Sequence, residues 1–347
     1  MPNRFISKKI FICLFGLLTV CCLLFALVWQ SEQNKNLKII FFDIGQGDSI
    51  YIRTPSQQDI LIDGGSDSGV LAKLGRAMPF YDHTIDLMVL THAHADHVAG
   101  LVEVLKRYKV RKVLYSGVED SAPEFLEWER LINEKGVEMT IAKAGQEFIF
   151  DQAGMKVLYP TEDLRQNKFD DLNETSIVTQ LVYQNTSFLF TGDAPVKVEK
   201  GLLEFYQQLG SGVLNIAEAS PPALLTPAST SSIRSRAGRN AKRAGASAYP
   251  LEGAPANPLK SDVLKVGHHG SKYSSSLEFL QAVDPQYAVI QVGKDNKFGH
   301  PHEQVVKRLN GLGFNVLRND LEGDITMESD GDNILLTDKN DSVNIIR

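Results

Sequence analysis

Hydrophobic residues recur along this chain with two spacings, one typical of strands and one typical of helices. Short apolar runs bounded by Gly, Asp, Asn and Pro predict strands. The predicted strands are Leu37–Phe42, Ser49–Arg53, Ile60–Ile62, Ile85–Leu90, Lys112–Tyr115, Val137–Ile141, Glu147–Phe150, Met155–Tyr159, Ser176–Tyr183, Ser187–Phe190, Val263–Val266, Tyr287–Gln291, Asn315–Arg318 and Asp324–Glu328. The predicted helices are Val98–Tyr108, Ala122–Lys135, Val196–Gln208, Leu277–Val283 and His302–Leu312. Antiparallel strands precede βα units and the order then recurs, which favours two layered sheets with helices outside.

The N-terminal segment departs from this pattern. Arg4, Lys8 and Lys9 precede an uncharged run of twenty residues, Ile10–Trp29. A helix of about twenty apolar residues spans the hydrocarbon core of a bilayer. Signal peptides have a shorter apolar part and a small-residue cleavage site, which this sequence does not show near Gln30. We therefore predict an uncleaved transmembrane anchor at residues 10–29, with a cleaved signal peptide as the alternative. By the positive-inside rule, residues 1–9 are then a cytoplasmic basic tail.

The remaining boundaries follow from composition. Residues 30–36 form a polar linker, residues 37–338 a folded domain, and residues 339–347 a C-terminal tail. Within the domain, residues 210–258 are rich in Ala, Ser, Pro and Gly and have little periodicity. Compact domains rarely contain so long a stretch without structure, so we interpret it as a disordered surface insertion. The alternative is a basic arm that attracts a phosphate polymer.

Composition narrows the possible chemistry. The chain has 347 residues, 43% hydrophobic and 22% charged, which is typical of a globular protein. A net charge of −6 excludes a protein held to nucleic acid by bulk charge alone. All three cysteines, Cys13, Cys21 and Cys22, lie in the apolar run. A disulfide framework and a cysteine zinc site are therefore excluded, and any metal must be bound by His, Asp or Glu.

The strongest signal for chemistry is a cluster of three histidines and one aspartate. His92, His94, Asp96 and His97 follow directly after the predicted strand Ile85–Leu90. Imidazole and carboxylate are ligands that zinc and manganese accept. A loop leaving a strand can turn alternate side chains toward one point. The cluster therefore predicts a metal site at the end of this strand.

Two further groups of candidate ligands follow buried strands. Asp193 comes after Ser187–Phe190, and the pair His268 and His269 comes after Val263–Val266. Two metal ions about 3.5–4 Å apart can share a carboxylate. We expect Asp193 to be shared in this way; the alternative is a cap on the helix that follows it. For the histidine pair, a structural role is the alternative.

Weaker candidates surround these clusters. Asp63 ends a strand at a turn, where it either orients a ligand histidine or forms an Asx turn. His300 lies in a turn beside a proline and is a candidate proton donor or phosphate contact. His302 is expected to begin a helix, and the isolated His83 is expected to be structural.

Together these motifs resemble the metallo-β-lactamase superfamily. The spacing His-x-His-x-Asp-His of the first cluster is its signature, and the resemblance covers about residues 37–336. It implies an α+β fold, an αββα four-layer sandwich with a dinuclear metal site between the sheet edges, here preceded by one N-terminal transmembrane helix. It also implies that Asp63 is the first motif, Asp193 the bridging carboxylate, and His268 or His269 the last histidine ligand.

A narrower resemblance is to the hydrolase domain of ComEC-type competence proteins, which import DNA. It rests on the segments Asp43–Ser49, Asn173–Ser176, Lys265–Ser271 and Gly299–Pro301. The chain looks like a stand-alone, membrane-anchored version of that domain. The supporting residues that this resemblance implies are Asp43, Gln46, Asn173 and Ser176.

One departure from the superfamily concerns the first metal. Many members have another histidine ligand between the first cluster and the bridging aspartate, but no histidine lies between His97 and His268 here. Asn173 falls roughly at that place, as in ComEC-type domains. Residue 94 is histidine where di-iron, oxygen-reducing members have glutamate, which favours hydrolysis over redox chemistry.

The resemblance implies two divalent metal ions, with zinc favoured and manganese as the alternative. One ion would be held by His92, His94 and Asp193. The other would be held by Asp96, His97, Asp193 and one of His268 and His269. The implied catalytic residues are Asp96 and, to steady the leaving group, Lys265, His300 or the second histidine of the pair.

The implied substrate is a phosphodiester, either nucleic acid or a phosphorylated headgroup. The expected function is a membrane-anchored phosphodiesterase or nuclease related to competence DNA uptake. One alternative is hydrolysis of a carboxylic ester, lactone or lactam by the same metals. Another is a non-catalytic, anchored binding subunit of a DNA-uptake or envelope assembly. The expected location is the bacterial cytoplasmic membrane with the hydrolase domain outside, or secretion if the anchor is cleaved.

Overall fold

The computed structural model describes residues 4–32, 36–210, 223–224, 257–337 and 343–345. These residues belong to two units, one ending at Asn36 and one beginning at Leu37. The first unit contains helix α1, Arg4–Glu32, whose described side chains, at residues 10–24, are exposed. None of the helices in these described ranges is long and apolar enough to cross a membrane. Helical structure is thus present at residues 10–29, while the predicted membrane span is not supported.

Two sheets form the second unit. In chain order the strands are β1 (Leu37–Phe41), β2 (Ile50–Arg53), β3 (Asp59–Ile62), β4 (Thr84–Leu90), β5 (Lys109–Tyr115), β6 (Glu138–Ile141), β7 (Glu147–Phe150), β8 (Ala153–Tyr159), β9 (Val178–Tyr183), β10 (Thr186–Phe190), β11 (Ala223–Leu224), β12 (Val263–Lys265), β13 (Tyr287–Ile290), β14 (Asn315–Arg318), β15 (Ile325–Ser329), β16 (Ile334–Thr337) and β17 (Val343–Ile345). The first sheet has the order β17-β16-β15-β1-β2-β3-β4-β5-β6. The second has the order β11-β7-β8-β9-β10-β12-β13-β14.

Helices connect many of these strands. They are α2 (Gly69–Ala77), α3 (Ala95–Arg107), α4 (Pro123–Lys135), α5 (Val196–Gly210), α6 (Leu277–Val283), α7 (Glu303–Gly311) and α8 (Asn319–Glu322). Short 3₁₀ turns lie at Leu172–Thr175 and Gly267–Gly270.

Three apolar clusters show how the layers stack. The facing sides of the two sheets form a buried core, in which the tilted rings of Phe41 of β1 and Phe190 of β10 lie 6.2 Å apart. A second cluster joins the outer face of the first sheet to α2, α3 and α4. A third joins the outer face of the second sheet to α5, α6 and α7. Burial of both faces explains the continuous apolar runs of the central strands. The predicted arrangement of two sheets with helices outside is confirmed.

Most predicted elements are present within one to three residues, but several elements were not predicted. Helix α2 escaped prediction because it is short and follows a Gly-rich turn. Strands β16 and β17 at the sheet's end were not predicted either, since β16 is mostly half-buried and β17 has only three residues, too few for a strong periodic signal. The predicted insertion at 210–258 lies almost wholly outside the described residues; within it, Ala223–Leu224 pairs with β7.

Strand direction decides where functional residues can meet. In the first sheet, β1, β3, β4, β5 and β6 run in one direction. Their ends define a carboxyl edge, after Phe41, Ile62 and Leu90, and an amino edge, before Leu37 and Lys109. In the second sheet, β10, β12, β13 and β14 are also parallel. Side chains that follow parallel strands share one edge of the sheet, where ligands bind in open α/β folds.

Candidate metal centre

The first histidine cluster lies at the carboxyl edge, in the tight connection from β4 to α3. His94 is the residue before the first turn of α3, and Asp96 and His97 lie in that turn. Two glycines let the helix approach the turn after β3. A Cβ on Gly100 would lie 1.8 Å from the carbonyl oxygen of Gly64, and a Cβ on Gly64 would lie 2.4 Å from the backbone nitrogen of Leu101. This close contact holds His97 inside the protein.

Asp63 fixes the orientation of the His97 ring. Its Oδ2 accepts hydrogen bonds from His97 Nδ1 at 2.8 Å and from Thr91 Oγ1 at 2.7 Å. Its Oδ1 accepts from the Thr91 backbone nitrogen at 2.8 Å. With the proton held on Nδ1, the lone pair of His97 Nε2 points the other way, into the centre. These contacts favour the orienting role for Asp63 over an Asx turn.

Asp193 lies between the two sheets' histidines. Its Oδ2 is 3.4 Å from Nε2 of His97 and 3.4 Å from Nε2 of His269. It is also 3.9 Å from Nε2 of His268. The carboxylate faces these rings, and the Asp193 backbone nitrogen donates a hydrogen bond to Ser176 Oγ at 3.1 Å. The geometry therefore favours a shared carboxylate over a helix cap.

The two adjacent histidines after β12 occupy different environments. His269 is buried, and its Nδ1 donates to the Gln291 carbonyl at 3.0 Å, which turns Nε2 toward Asp193 and Asp96. His268 is partly exposed and its ring lies 5.5 Å from the ring of His300. Both residues have left-handed backbone angles, with φ of 48° and 52°. This strained turn points one ring inward and the other toward the opening.

The ligand atoms of these residues form groups of the size a metal ion needs. Among the described residues, four groups have all their ligand atoms within 4.8 Å of one another. Two of them are His92, His97 and Asp193, and Asp96, His97 and His269; the other two contain Asp48. His94 Nδ1 lies 3.0 Å from His92 Nε2, a separation at which two ligand nitrogens can face one ion. The set of His92, His94 and Asp193 as ligands of one ion stays a prediction.

Several buried atoms at the centre have no hydrogen-bond partner among the described residues. They are Nε2 of His97, Nε2 of His269 and Oδ1 of Asp193. An unpaired polar atom in the interior carries a desolvation penalty, which a bound cation would remove. The residues present therefore fit a pair of divalent cations.

Asp48 is a functional candidate that sequence reasoning did not single out. It is buried, forms an ion pair with Lys265, and lies 3.3 Å from His269 Nδ1. Two of the four groups of close ligand atoms include Asp48, one with Asp63 and His97 and the other with Asp193 and His269. The sequence indicated Asp48 only through the segment Asp43–Ser49, which resembles a segment of ComEC-type domains.

Lys265 lies behind the centre instead of at its opening. Its ammonium group contacts Asp48, donates to the Gly192 carbonyl at 2.7 Å, and lies 3.5 Å from Asp193 Oδ1. The side chain is 1% exposed. These contacts favour a buried counter-charge for the carboxylates over the predicted contact with a leaving group.

Electrostatics tie the imidazoles to the carboxylates. Burial lowers the pKa of His97, but the nearby carboxylates of Asp193 and Asp63 outweigh it and raise that pKa well above its usual value. In the same way, Asp193 and Asp48 outweigh burial and raise the pKa of His269 to about 10. Burial raises the pKa of Asp193, but His269 and His97 hold it well below its usual value. Without metal, protons therefore occupy the positions that cations would take.

The other predicted residues have clear places. Gln46 Nε2 donates to Asp96 Oδ2 at 2.9 Å. Asp43 lies in the same loop, where its backbone nitrogen donates to Asp324 Oδ1 at 2.7 Å. Asn173 is buried in the 3₁₀ turn before β9, and its Oδ1 has no partner among the described residues. His302 directly precedes α7.

His300 and an exposed rim border the opening. Asn296 holds the His300 backbone by donating to its carbonyl at 2.7 Å and accepting from its nitrogen at 3.0 Å. Phe298 is 63% exposed and stacks on the His300 ring at 6.0 Å. Tyr273, which follows the histidine pair, is 65% exposed. Exposed lysines flank these aromatics at positions 272, 294 and 297, with Asp295 among them.

Comparison with known proteins agrees with this centre. The family model of the metallo-beta-lactamase superfamily matches residues 42–294, more than half of the chain. ComE operon protein 3 of Bacillus subtilis (strain 168) is 26% identical over 324 residues, covering 88% of this chain and 35% of that protein. Competence protein ComA of Neisseria gonorrhoeae is 29% identical over 298 residues, covering 85% and 32%. The chain thus spans about a third of the length of these curated relatives.

Solved structures include similar chains. The metallo-beta-lactamase fold protein YhfI from Bacillus subtilis superposes with a TM-score of 0.44 and 10% identity, covering 81% of this chain and 96% of that chain.

Proposed function

This chain belongs to the metallo-beta-lactamase superfamily, and from that premise we propose that it is a metal-dependent phosphodiesterase that cleaves nucleic acid. The fold is that of the superfamily's metal-dependent hydrolases, and the resemblance to competence proteins is confirmed. The observation that carries the proposal is the set of buried, unpartnered ligand atoms around Asp193. The imidazoles and the carboxylate lie 3.4 Å apart, so their ligand atoms converge on one point where a cation can replace the imidazole protons.

His97 Nε2 has one lone pair and can hold one cation, so Asp193 must be the ligand that two cations share. One cation would be held by Asp96, His97, His269 and Asp193. The other would be held by His92 and Asp193, with His94 Nδ1 at 3.0 Å from His92 Nε2. When bound, such ions lower the pKa of a water molecule and stabilise negative charge on phosphoryl oxygens. Zinc is favoured over manganese, because three imidazoles take part and imidazole suits zinc.

The surrounding side chains and backbone orient the metal-binding residues. Asp63 keeps the Nδ1 proton on His97, and the Gln291 carbonyl does the same for His269. Gln46 holds Asp96. Each contact turns a ligand atom inward before any cation arrives, so binding needs little rearrangement.

His300 is suited to hold a phosphoryl oxygen at the opening. Its Nδ1 is buried without a described partner, and its ring lies 6.2 Å from that of His269. Burial and the positive charge of His269 lower the pKa of His300 to about 4. The ring is therefore neutral at pH 7 and donates one hydrogen bond.

The residues of the rim favour a polynucleotide as substrate over a small phosphorylated headgroup. Proteins bind single-stranded nucleic acid by stacking bases on exposed aromatic rings beside basic side chains. Phe298 and Tyr273, with lysines 272, 294 and 297, supply both features next to the centre. The name of one relative, competence protein, also supports a role in DNA uptake.

Hydrolysis of bis-p-nitrophenyl phosphate by the full chain in detergent, with bound metal measured in the same sample, tests this proposal. We expect about two ions per chain and activity with zinc or manganese. Asp96→Ala should abolish activity, while the matched variant of an exposed aspartate, Asp163→Ala, should not. Metal without phosphodiesterase activity, but with hydrolysis of a chromogenic lactam or ester, would replace this function by the alternative hydrolase. Absence of both metal and activity would leave a non-catalytic binding subunit.

A single-stranded oligonucleotide sharpens the substrate assignment. Loss of one stacking ring weakens binding by about 1–3 kcal/mol, so Phe298→Ala should raise the KM for the oligonucleotide about tenfold or more. Phe80→Ala, which removes an exposed ring far from the centre, is the control. Equal KM values for the two variants would contradict a polynucleotide rim.

We also propose that the protein resides at the bacterial cytoplasmic membrane through α1, with the hydrolase domain outside the cytoplasm. The uncharged run Ile10–Trp29 after three basic residues supports this, as do the exposed apolar side chains of residues 10–24. Alkaline carbonate should leave the full chain in the membrane pellet, and protease added to spheroplasts should digest it. Release by carbonate would contradict an anchor.

A further inference from the structure

A basic groove of about 600 Å³ lies at the amino edge of the first sheet, where α3 and α4 end. Five basic side chains line it and no acidic one does, in a protein whose net charge is −6. These side chains are Lys106, Arg107, Lys109, Arg111 and Lys135.

Most of this positive charge is not neutralised within the protein. Lys106 pairs with Glu103 at 2.8 Å, and Arg111 with Asp86 at 3.3 Å. In the described part of the chain, no ion pair includes the other three groove residues, Arg107, Lys109 and Lys135, and all three are exposed. Three positive charges therefore face solvent together.

Exposed aromatic rings extend the groove. Phe80 is 87% exposed and forms a T-shaped pair with Tyr81, 5.3 Å between ring centroids. Their loop joins the groove where the Lys109 backbone nitrogen donates to the His83 carbonyl at 2.8 Å. The His83 ring also lies 5.8 Å from the ring of Tyr108, which lines the groove. The rings therefore lie in the loop whose end, at His83, contacts the groove residues Tyr108 and Lys109.

Helix polarity explains only part of this surface. Lys106, Arg107 and Lys135 lie in the last turns of α3 and α4, where positive charge complements the helix dipole. That effect does not explain Lys109 in β5 or the exposed Phe80. Basic side chains beside exposed aromatic rings are typical of surfaces that rest on anionic headgroups.

The position of the surface points to the same partner. Leu37 starts β1 at this amino edge, and α1 ends only a few residues earlier in the sequence, at Glu32. If a membrane holds α1, the chain enters the second unit at the same edge of the sheet that carries the groove. The metal ligands follow the opposite ends of the same strands; β4 alone, with seven residues, separates the edges by about 20 Å.

We propose that the groove and the Phe80–Tyr81 pair dock on an anionic lipid bilayer, so that the metal centre faces away from the membrane. This proposal rests on the proposed membrane location and is independent of the proposed hydrolysis. Acidic headgroups fit Arg107, Lys109 and Lys135, and the two rings fit the boundary between headgroups and acyl chains.

Lysine acetylation of the full chain in vesicles, followed by mass spectrometry, tests the proposal. One sample contains phosphatidylcholine alone, and the other contains phosphatidylcholine with about 30% phosphatidylglycerol. We expect Lys109 and Lys135 to react at least about threefold more slowly in the anionic vesicles at low salt, because headgroups cover them. Lys307 in α7, on the other sheet's outer face, is the internal control and should not change. Salt at about 0.5 M should remove the difference, since it screens charge.

Two variants separate this surface from general attraction. The triple variant Arg107→Glu, Lys109→Glu and Lys135→Glu, followed through Lys106, should show no lipid-dependent protection. The control Lys200→Glu, Lys260→Glu and Lys307→Glu changes net charge equally and should keep the protection of Lys109. Retention of the wild-type unfolding temperature shows that the first variant is folded.

Other outcomes would overturn the proposal. Equal rates for Lys109 in the two vesicle samples would exclude lipid docking. Protection by a single-stranded oligonucleotide without protection by anionic vesicles would assign the groove to nucleic acid. Failure of bis-p-nitrophenyl phosphate hydrolysis would affect only the proposed function. If the full chain does not stay on neutral vesicles, the anchor is contradicted; docking is then contradicted as well unless anionic vesicles still protect Lys109.

Discussion

Charged side chains are buried at both edges of the first sheet, but the two edges differ in the hydrogen-bond partners of these side chains. At the amino edge, Asp59 accepts two hydrogen bonds from Arg53 at 2.8 and 2.9 Å and one from Tyr51 at 2.6 Å. Its backbone nitrogen donates to Asp86 at 2.9 Å. At the carboxyl edge, ligand atoms of His97, His269 and Asp193 face one another without such partners.

The difference teaches how to separate a structural ion cluster from a site. Burying a charge is unfavourable unless hydrogen bonds and opposite charges compensate it. At the amino edge, hydrogen bonds from Arg53 and Tyr51 supply part of that compensation, although burial still raises the pKa of Asp59 to about 7. The carboxyl edge leaves ligand atoms that only protons or cations can satisfy. Unsatisfied ligand atoms, and not burial itself, therefore mark the metal centre.

Asp193→Asn should disrupt the metal centre at the carboxyl edge and have the largest effect on activity. A shared carboxylate contributes several kcal/mol through the metals, and each ~1.4 kcal/mol is tenfold in rate, so kcat/KM should fall by about 10³-fold or more. Bound metal should fall below the wild-type content. Kinetics on bis-p-nitrophenyl phosphate and metal analysis measure both. Full activity in this variant would mean that Asp193 is not a ligand.

Arg53→Met should instead remove the buried ion pair with Asp59 at the amino edge. Removing one partner of a buried pair destabilises a protein by about 3–5 kcal/mol. Urea unfolding should show this loss, while metal content stays at the wild-type level. The double variant Arg53→Met with Asp59→Leu should recover part of the stability, because no charge is then left unpaired. Loss of metal in Arg53→Met would show that the two edges are coupled.

Removal of metal should destabilise the wild type but not Asp193→Asn. A ligand at about 100 times its Kd stabilises the folded state by about 2.7 kcal/mol. The unfolding temperature of wild type should then fall by about 5 °C or more on adding a chelator. Calorimetry with and without chelator measures it. An equal fall in both proteins would place the bound metal elsewhere.

The metal-free protein should show a pH dependence that metal abolishes. The pKa of His269 rises from 6.5 to about 10 on folding. Its contribution to stability is therefore fully present below pH 6.5 and is lost as pH rises through about 10. Metal affinity should increase over the same range, because each cation must displace protons. Urea unfolding at several pH values checks the trend; in His269→Gln the dependence should shrink.

Much of the fold and of the centre was predictable, because both depend on local patterns. The apolar run Ile85–Leu90 predicted the core of β4 and, with it, the position of the cluster His92–His97. Helix α2 and strands β16 and β17 were not predictable, since short or half-exposed elements carry little periodic signal. The role of residues 10–29 at a membrane stays a prediction.

Some assignments depended on neighbours distant in sequence. His268 and His269 are adjacent and chemically identical, so only their strained turn and the Gln291 carbonyl, across the sheet, show that His269 faces inward. Asp48, in the loop between β1 and β2 of the first sheet, meets Lys265, at the end of β12 of the second sheet, behind the centre. No local pattern contains such a contact.

The sequence by itself determined which ligand types are available and which strands they follow, because strand periodicity and metal chemistry are properties of neighbouring residues. Only the tertiary structure decided which ligand atoms face one another, and that His94 turns to His92 while Lys265 is buried as a counter-charge. It also brought Lys109 and Lys135 into one groove, with His83 against its Tyr108. The physical reason is that burial and pairing of charge depend on distances between chain segments, which packing of the two sheets sets.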